Sequence, residues 1–169
     1  MADRQLQAIL SSGEITSMNI GGTDSGDAVA KISDITPSIC VVGTTSGITS
    51  QSLVAGVPEK LTFFDTSTIT IGPAISSSIA NQQINLSETG IYSVSGTISI
   101  KDGNQSQVHK VTLYVNSNPT PFMGSIQGDG NIVFIGAGSY SQGDDLELYI
   151  ESTSNSIEII LSSMTVEKI

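Results

Sequence analysis

Tryptophan is absent, and the 169 residues include one cysteine and one histidine. A single thiol makes no intrachain disulfide, and a single imidazole builds neither the usual zinc site nor most His-dependent catalytic arrangements. Cations are scarce as well: six Lys and Arg stand against sixteen Asp and Glu, a net charge of −10. Without a broad positive surface to neutralise phosphates, nucleic acid is not an expected partner. No run approaches the ~20 apolar residues that cross a bilayer. The start, with Asp3 and Arg4, lacks a basic segment followed by an apolar one, so neither a membrane partner nor an export signal is expected, and synthesis in the cytoplasm is. Leucine and alanine are few, 9 and 8, whereas Ser, Thr, Ile and Val number 27, 16, 23 and 11. That excludes a helical bundle and favours strands, on whose pleated surface β-branched side chains pack well.

From Lys60 onward the sequence runs with a period of two, the spacing that sends alternate side chains to opposite faces of a strand. Tyr92, Val94, Ile98 and Ile100 share one face with Gly96, and Ser93, Ser95, Thr97 and Ser99 take the other. Val111, Leu113 and Val115 repeat the pattern, as do Leu146, Leu148 and Ile150 against Glu147, Tyr149 and Glu151. At the end, Ile157, Ile159 and Leu161 are expected inside, with Glu158 and Ser162 outside. Ile132 to Ile135 is a shorter run, and Leu61 to Phe64, Thr68 to Ile71 and Ile79 to Leu86 are weaker ones. Between them lie Asp102-Gly103-Asn104, Asn116-Ser117-Asn118-Pro119, Gly128-Asp129-Gly130-Asn131 and Gly143-Asp144, residues that suit tight turns. Eight or more short strands so spaced predict an all-β antiparallel sandwich, a jelly roll or an immunoglobulin-like domain.

The chain divides near Gly56-Val57-Pro58. Gly, Ser and Thr interrupt everything before it, which predicts an extended N-terminal arm over residues 1–56 and a β domain over 57–169. The arm still carries Leu6, Ile9, Ile20, Ile39 and Val41, too much apolar surface for an inert leader. These residues are the expected attachment points to a larger surface.

Glu88-Thr89-Gly90-Ile91-Tyr92-Ser93-Val94-Ser95-Gly96 resembles the glycine, apolar, Tyr, x, apolar signature of the complement globular-head and tumour necrosis factor jelly rolls. Val111 to Asn116, Gly143-Asp144-Asp145-Leu146-Glu147-Leu148 and the closing Ile157 to Ile169 follow in that family's order, so the resemblance covers about residues 58 to 169. It implies a tumour necrosis factor-like jelly roll that assembles as a homotrimer. Tyr114, Tyr149 and Ile160, apolar or aromatic residues on the second face of strands, are the candidate trimer contacts. Among family members the pattern is similar to the decoration or head-fibre proteins of tailed phages, without the collagen-like Gly-X-Y stalk of spore-surface relatives. The resemblance therefore implies a virion structural protein on the capsid exterior, with the major capsid protein as partner of the arm. The alternative is a receptor- or glycan-binding tip, its site on the loops around Asn116 to Gln127 and Gly138 to Gln142.

Chemistry-bearing residues are expected to be structural. Asp102, Asp129, Asp144 and Asp145 sit in turns without the dense spacing of a calcium loop, so turn chemistry outweighs metal binding. His109 reads as an ordinary edge residue, and Cys40 as a small core residue of the arm. No G-x-S-x-G elbow or phosphate loop is present. Neither enzymatic activity nor a cofactor or metal is expected.

Overall fold

The computed structural model describes residues 10–11, 14–15, 37–45 and 47–169. Two short strands, β1 (Leu10–Ser11) and β2 (Glu14–Ile15), pair antiparallel in the first unit, Met1–Thr36. The second unit, Pro37–Ile169, is the sandwich. Its strands are β3 (Ile39–Gly43), β4 (Thr49–Ser52), β5 (Glu59–Lys60), β6 (Thr66–Ile71), β7 (Ile75–Ser78), β8 (Gln83–Leu86) and β9 (Gly90–Lys101). They continue with β10 (Val108–Val115), β11 (Asn118–Gln127), β12 (Gly130–Tyr140), β13 (Asp145–Ser152) and β14 (Ser156–Lys168). One sheet runs β11-β10-β13-β8-β7 with β5 also on β13, and the other β12-β9-β14-β3-β6 with β4 also on β14. Every pairing is antiparallel, and no helix occurs among the described residues.

The period-two runs become the inner faces. Tyr92, Val94, Ile98 and Ile100 of β9 meet Val111 and Leu113 of β10 and Leu146, Leu148 and Ile150 of β13 in one core between the sheets, all buried. Each such side chain contributes about 1.5–3 kcal/mol when taken fully out of water, so these strands supply most of the driving force. The Tyr92 hydroxyl, whose burial demands a partner, donates to Glu88 O at 2.7 Å. Asn116 and Ser117, both at positive φ, make the two-residue turn joining β10 to β11.

Several expectations change. The boundary falls between Thr36 and Pro37, not near residue 56. Ile39-Cys40-Val41-Val42 forms β3, hydrogen-bonded between β14 and β6, and Cys40 and Val42 are fully buried. The Gly and Ser punctuation that reads as an irregular arm marks the turns between short strands. Near the C-terminus Leu161 is exposed and Ser162 buried, the reverse of the expected alternation. The cause is a β-bulge: Ile159 pairs with Ile100 and Leu161 with Ser99, so Ile160 is an extra residue that flips every later side chain. Residues 118–127, expected as loop, form β11, an edge strand on which Pro119 and Pro121 are tolerated. His109, expected at an edge, is fully buried because its alternation places it on the inner side of β10. Leu61, Phe63 and Phe64 are buried but follow β5 without forming a ladder.

Candidate assembly interface

Away from the Lys101–Glu158 pair at one end, the outward face of the β12-β9-β14-β3-β6 sheet carries little charge. Three rows cross it: Ile135, Ser95, Thr165, Val41, Ile69; then Val133, Thr97, Ser163, Gly43, Thr66; then Ala137, Ser93, Glu167, Ile39, Ile71. Among these fifteen positions Glu167 alone is ionisable. Val133 is 64% exposed and Ile135 77%, with Ile69 and Ile71 exposed at the opposite edge. A chain of net charge −10 that places one carboxylate among these fifteen positions, with small hydroxyl residues at the centre and mostly aliphatic ones at both sides, has the composition of a subunit contact.

The three expected trimer contacts do not share this face. Ile160 and its neighbour Leu161 protrude here at the bulge, whereas Tyr114 and Tyr149 lie on the other sheet. There the two tyrosine rings stack with centroids 3.9 Å apart and planes inclined by 21°. Tyr149 pairs in register with Thr112 on one side and Lys60 on the other, and Tyr114 with Glu147. Lys110 Nζ lies 3.0 Å from Glu151 Oε2, and Lys60 Nζ 2.6 Å from Glu147 Oε1. A groove of about 200 Å³ runs over the tyrosines, walled by Pro58, Pro119, Thr120 and Met123. Composition reveals the individual aromatics but not their stacking, because the register that brings β10 beside β13 is long-range.

Of the expected attachment residues, Leu6, Ile9 and Ile20 lie outside the described residues. Ile39 and Val41 are half-buried in β3, on the charge-poor face described above. The start of the sandwich and its last strand meet at one end: Lys168 N donates to Ser38 O at 2.8 Å, and Ile169 N to Ile91 O at 2.9 Å. The Asn116–Ser117 turn and the Ser141–Asp144 turn are at that same end, linked by Asn116 Nδ2 to Asp144 Oδ1 at 2.8 Å. Of the segments expected for recognition, the Asn116–Ser117 turn and Ser141–Gln142 thus lie at the end where the sandwich begins, while residues 118–127 run away from it as β11.

At the opposite end the turns hold a buried polar cluster. Asp129 Oδ1 accepts the backbone N–H groups of Asp102 and Gly103 at 2.7 and 2.9 Å, and these bonds hold its carboxyl below the usual range. Ser154 N–H donates to Ser152 Oγ at 2.9 Å, and the same hydroxyl is hydrogen-bonded to His109 Nδ1, also at 2.9 Å. The other ring nitrogen, Nε2, faces Asp102 Oδ2 at 3.4 Å, too long for a normal hydrogen bond. Burial pulls the His109 pKa below its ordinary value, against the opposing fields of Asp102 and Asp129. Serine, histidine and aspartate are aligned as in a nucleophilic relay, yet Ser152 and His109 are sealed from solvent and no substrate can reach them.

No protein-family model matches the chain, and no characterised protein matches it by sequence. Solved structures do match. Eiger TNF from S. frugiperda superposes with a TM-score of 0.61 at 14% identity, over 79% of this chain and 93% of that one. Murine APRIL follows at 0.56 and 14%, over 79% and 99% of the two chains. The vertex protein P5 of phage PRD1 matches at 0.52 and 16%, over 78% and 96%. The two antiparallel sheets, their strand order and these neighbours together establish that the chain has the tumour necrosis factor-like jelly-roll fold, which a phage vertex protein shares.

Proposed function

We propose that this chain is a non-enzymatic structural protein of a tailed-phage virion, a homotrimeric decoration, cement or head-fibre protein on the capsid exterior. The observation that supports the assembly is the charge-poor outward face of β12, β9, β14, β3 and β6, with one carboxylate in three rows. Three copies that turn this face inward bury Val133, Ile135 and Ile160 with Glu167 as the one carboxylate among the fifteen positions, and most of the surplus negative charge stays elsewhere. The virion assignment is supported by the fold shared with the PRD1 vertex protein. The non-enzymatic reading is supported by the sealed state of the one Ser-His-Asp alignment among the described residues. Residues 1–36 are the segment assigned to the major capsid protein, since the sandwich begins at Pro37 and closes its own core. Three such segments on one trimer make attachment multivalent, so modest single-segment affinity becomes tight binding.

Light scattering on the full chain is expected to give three times the chain mass. Ile135→Glu, which places a charge on the aliphatic side of the contact, is expected to give monomers that keep their β-sheet signal. Removing residues 1–36 is expected to leave a trimer that no longer binds capsids. A wild-type protein that stays monomeric at micromolar concentration refutes the assembly, and a truncated trimer that still decorates capsids refutes the role of the N-terminal segment.

A further inference from the structure

The geometry points to a saccharide-binding site in the groove over Tyr114 and Tyr149, on the sheet opposite the assembly face. Three observations converge there. The first is the stacked tyrosine pair, 3.9 Å between centroids and half-buried on the outer face of its sheet. Each ring fixes the other, so an amphipathic aromatic surface is held in place before any ligand arrives and little side-chain freedom is lost on binding. The second is polarity. Thr112 and the Lys110–Glu151 pair line the same groove and present hydroxyl, ammonium and carboxylate groups side by side. The third is charge: in a chain with six cations against sixteen anions, two of the lysines stand at this patch, each neutralised by a glutamate.

That chemistry selects its ligand. A phosphate or other anion is disfavoured, because Glu147 and Glu151 occupy both lysines and the whole chain is negative. A purely apolar segment is disfavoured too, since it would strip water from the half-exposed Lys110–Glu151 pair without replacing the hydrogen bonds that water makes to it. A neutral pyranose satisfies every group. Its C–H face lies on a tyrosine ring, and its vicinal hydroxyls donate to Glu151 and accept from Lys110 and Thr112. The volume of about 200 Å³ is below that of pockets that enclose whole drug-sized molecules, and suits one or two rings of a longer glycan. Because the groove and the assembly face lie on different sheets, the trimer could hold three such sites outward, and the failure of either reading leaves the other standing.

The test uses the full-length protein with maltotriose, cellotriose and N-acetylchitotriose at millimolar concentration, followed by NMR of ¹³C-labelled tyrosine. At least one sugar is expected to shift the Tyr114 and Tyr149 ring resonances but not those of buried Tyr92. Tyr149→Ala and Glu151→Gln are each expected to weaken that binding by about tenfold or more, with light scattering and melting profile showing an unchanged assembly. Rings that none of the three sugars perturbs, or variants that bind as well as wild type, overturn the site. Loss of the oligomer in Tyr149→Ala overturns it as well, and assigns the tyrosine pair to a protein contact instead.

Discussion

His109 is the only histidine of the chain, so acidification between pH 7.5 and 5.5 interrogates one buried site before the carboxylates begin to titrate. In the folded protein its ring is fully buried, and loss of solvation holds its pKa below the ordinary 6.5. In the unfolded chain the pKa returns to about 6.5. As pH falls through that value the unfolded state takes up a proton that the folded state does not, so stability falls with acidification and is fully present only above it. The loss at pH 5.5 relative to pH 7.5 is at most about 1.4 kcal/mol, the limit reached when the folded state takes up no proton in that window. For a domain of this size that corresponds to a fall in melting temperature of at most about 5 °C. His109→Gln removes the titration. It is expected to melt lower at pH 7.5, by the equivalent of about 1–3 kcal/mol, since the bond to Ser152 is weakened or lost. Its melting temperature should then stay flat down to pH 5.5. Calorimetry on both proteins across the window decides the matter. A wild-type protein whose melting temperature does not fall, or a variant that keeps the wild-type slope, refutes the reasoning.

Two further expectations concern packing. A methyl group at residue 96 would lie 2.6 Å from Phe134 Cε1 and 2.7 Å from the backbone oxygen of Ser163, so Gly96→Ala forces β9 and β14 apart and should cost about 1–3 kcal/mol in urea unfolding. A neutral outcome would mean that the sheet is more compliant than its register suggests. Glu147 is buried and holds both Lys60 and the backbone N–H of Ser117 at 3.1 Å. Glu147→Gln should lose about 1–3 kcal/mol, less than a fully buried pair because Lys60 stays partly hydrated, and adding Lys60→Met should restore part of it. No recovery in the double variant would place the effect in the β10–β11 turn alone.

The elements legible in the sequence are those with both a buried face and an uninterrupted period. β9, β10 and β13 satisfy this, and Tyr92, Leu113 and Leu148 stand where alternation puts them. β14 is legible only to Ile159, because a bulge adds one residue without changing composition and the pattern beyond it inverts. β11 hides behind Pro119 and Pro121, which argue against a strand unless it lies at an edge, and edge position follows from sheet order, not from local sequence. β3 hides because five residues between glycines and serines resemble a loop until β14 and β6 are brought to either side. The candidate sites follow the same logic. Individual residues such as Tyr114, Tyr149 and Ile160 can be singled out as apolar in the wrong place, yet their division between two sheets depends on pairings more than thirty residues apart. His109 hides as well: its inward position follows the alternation of β10, but an isolated polar residue at a strand start looks like an edge.

The hydrogen bond between Ser38 and Lys168 makes the sandwich nearly a closed ring. A short linker joining Pro37 to Ile169 would complete it, and the ring could then be opened in the turn at Asn104–Ser106, which caps itself through Asn104 Oδ1 and shares no strand. The permuted chain would keep every ladder of both sheets but begin and end at the far pole. Anything fused to it would leave from the pole opposite Pro37, so one fold can carry a fused partner at either of its two ends.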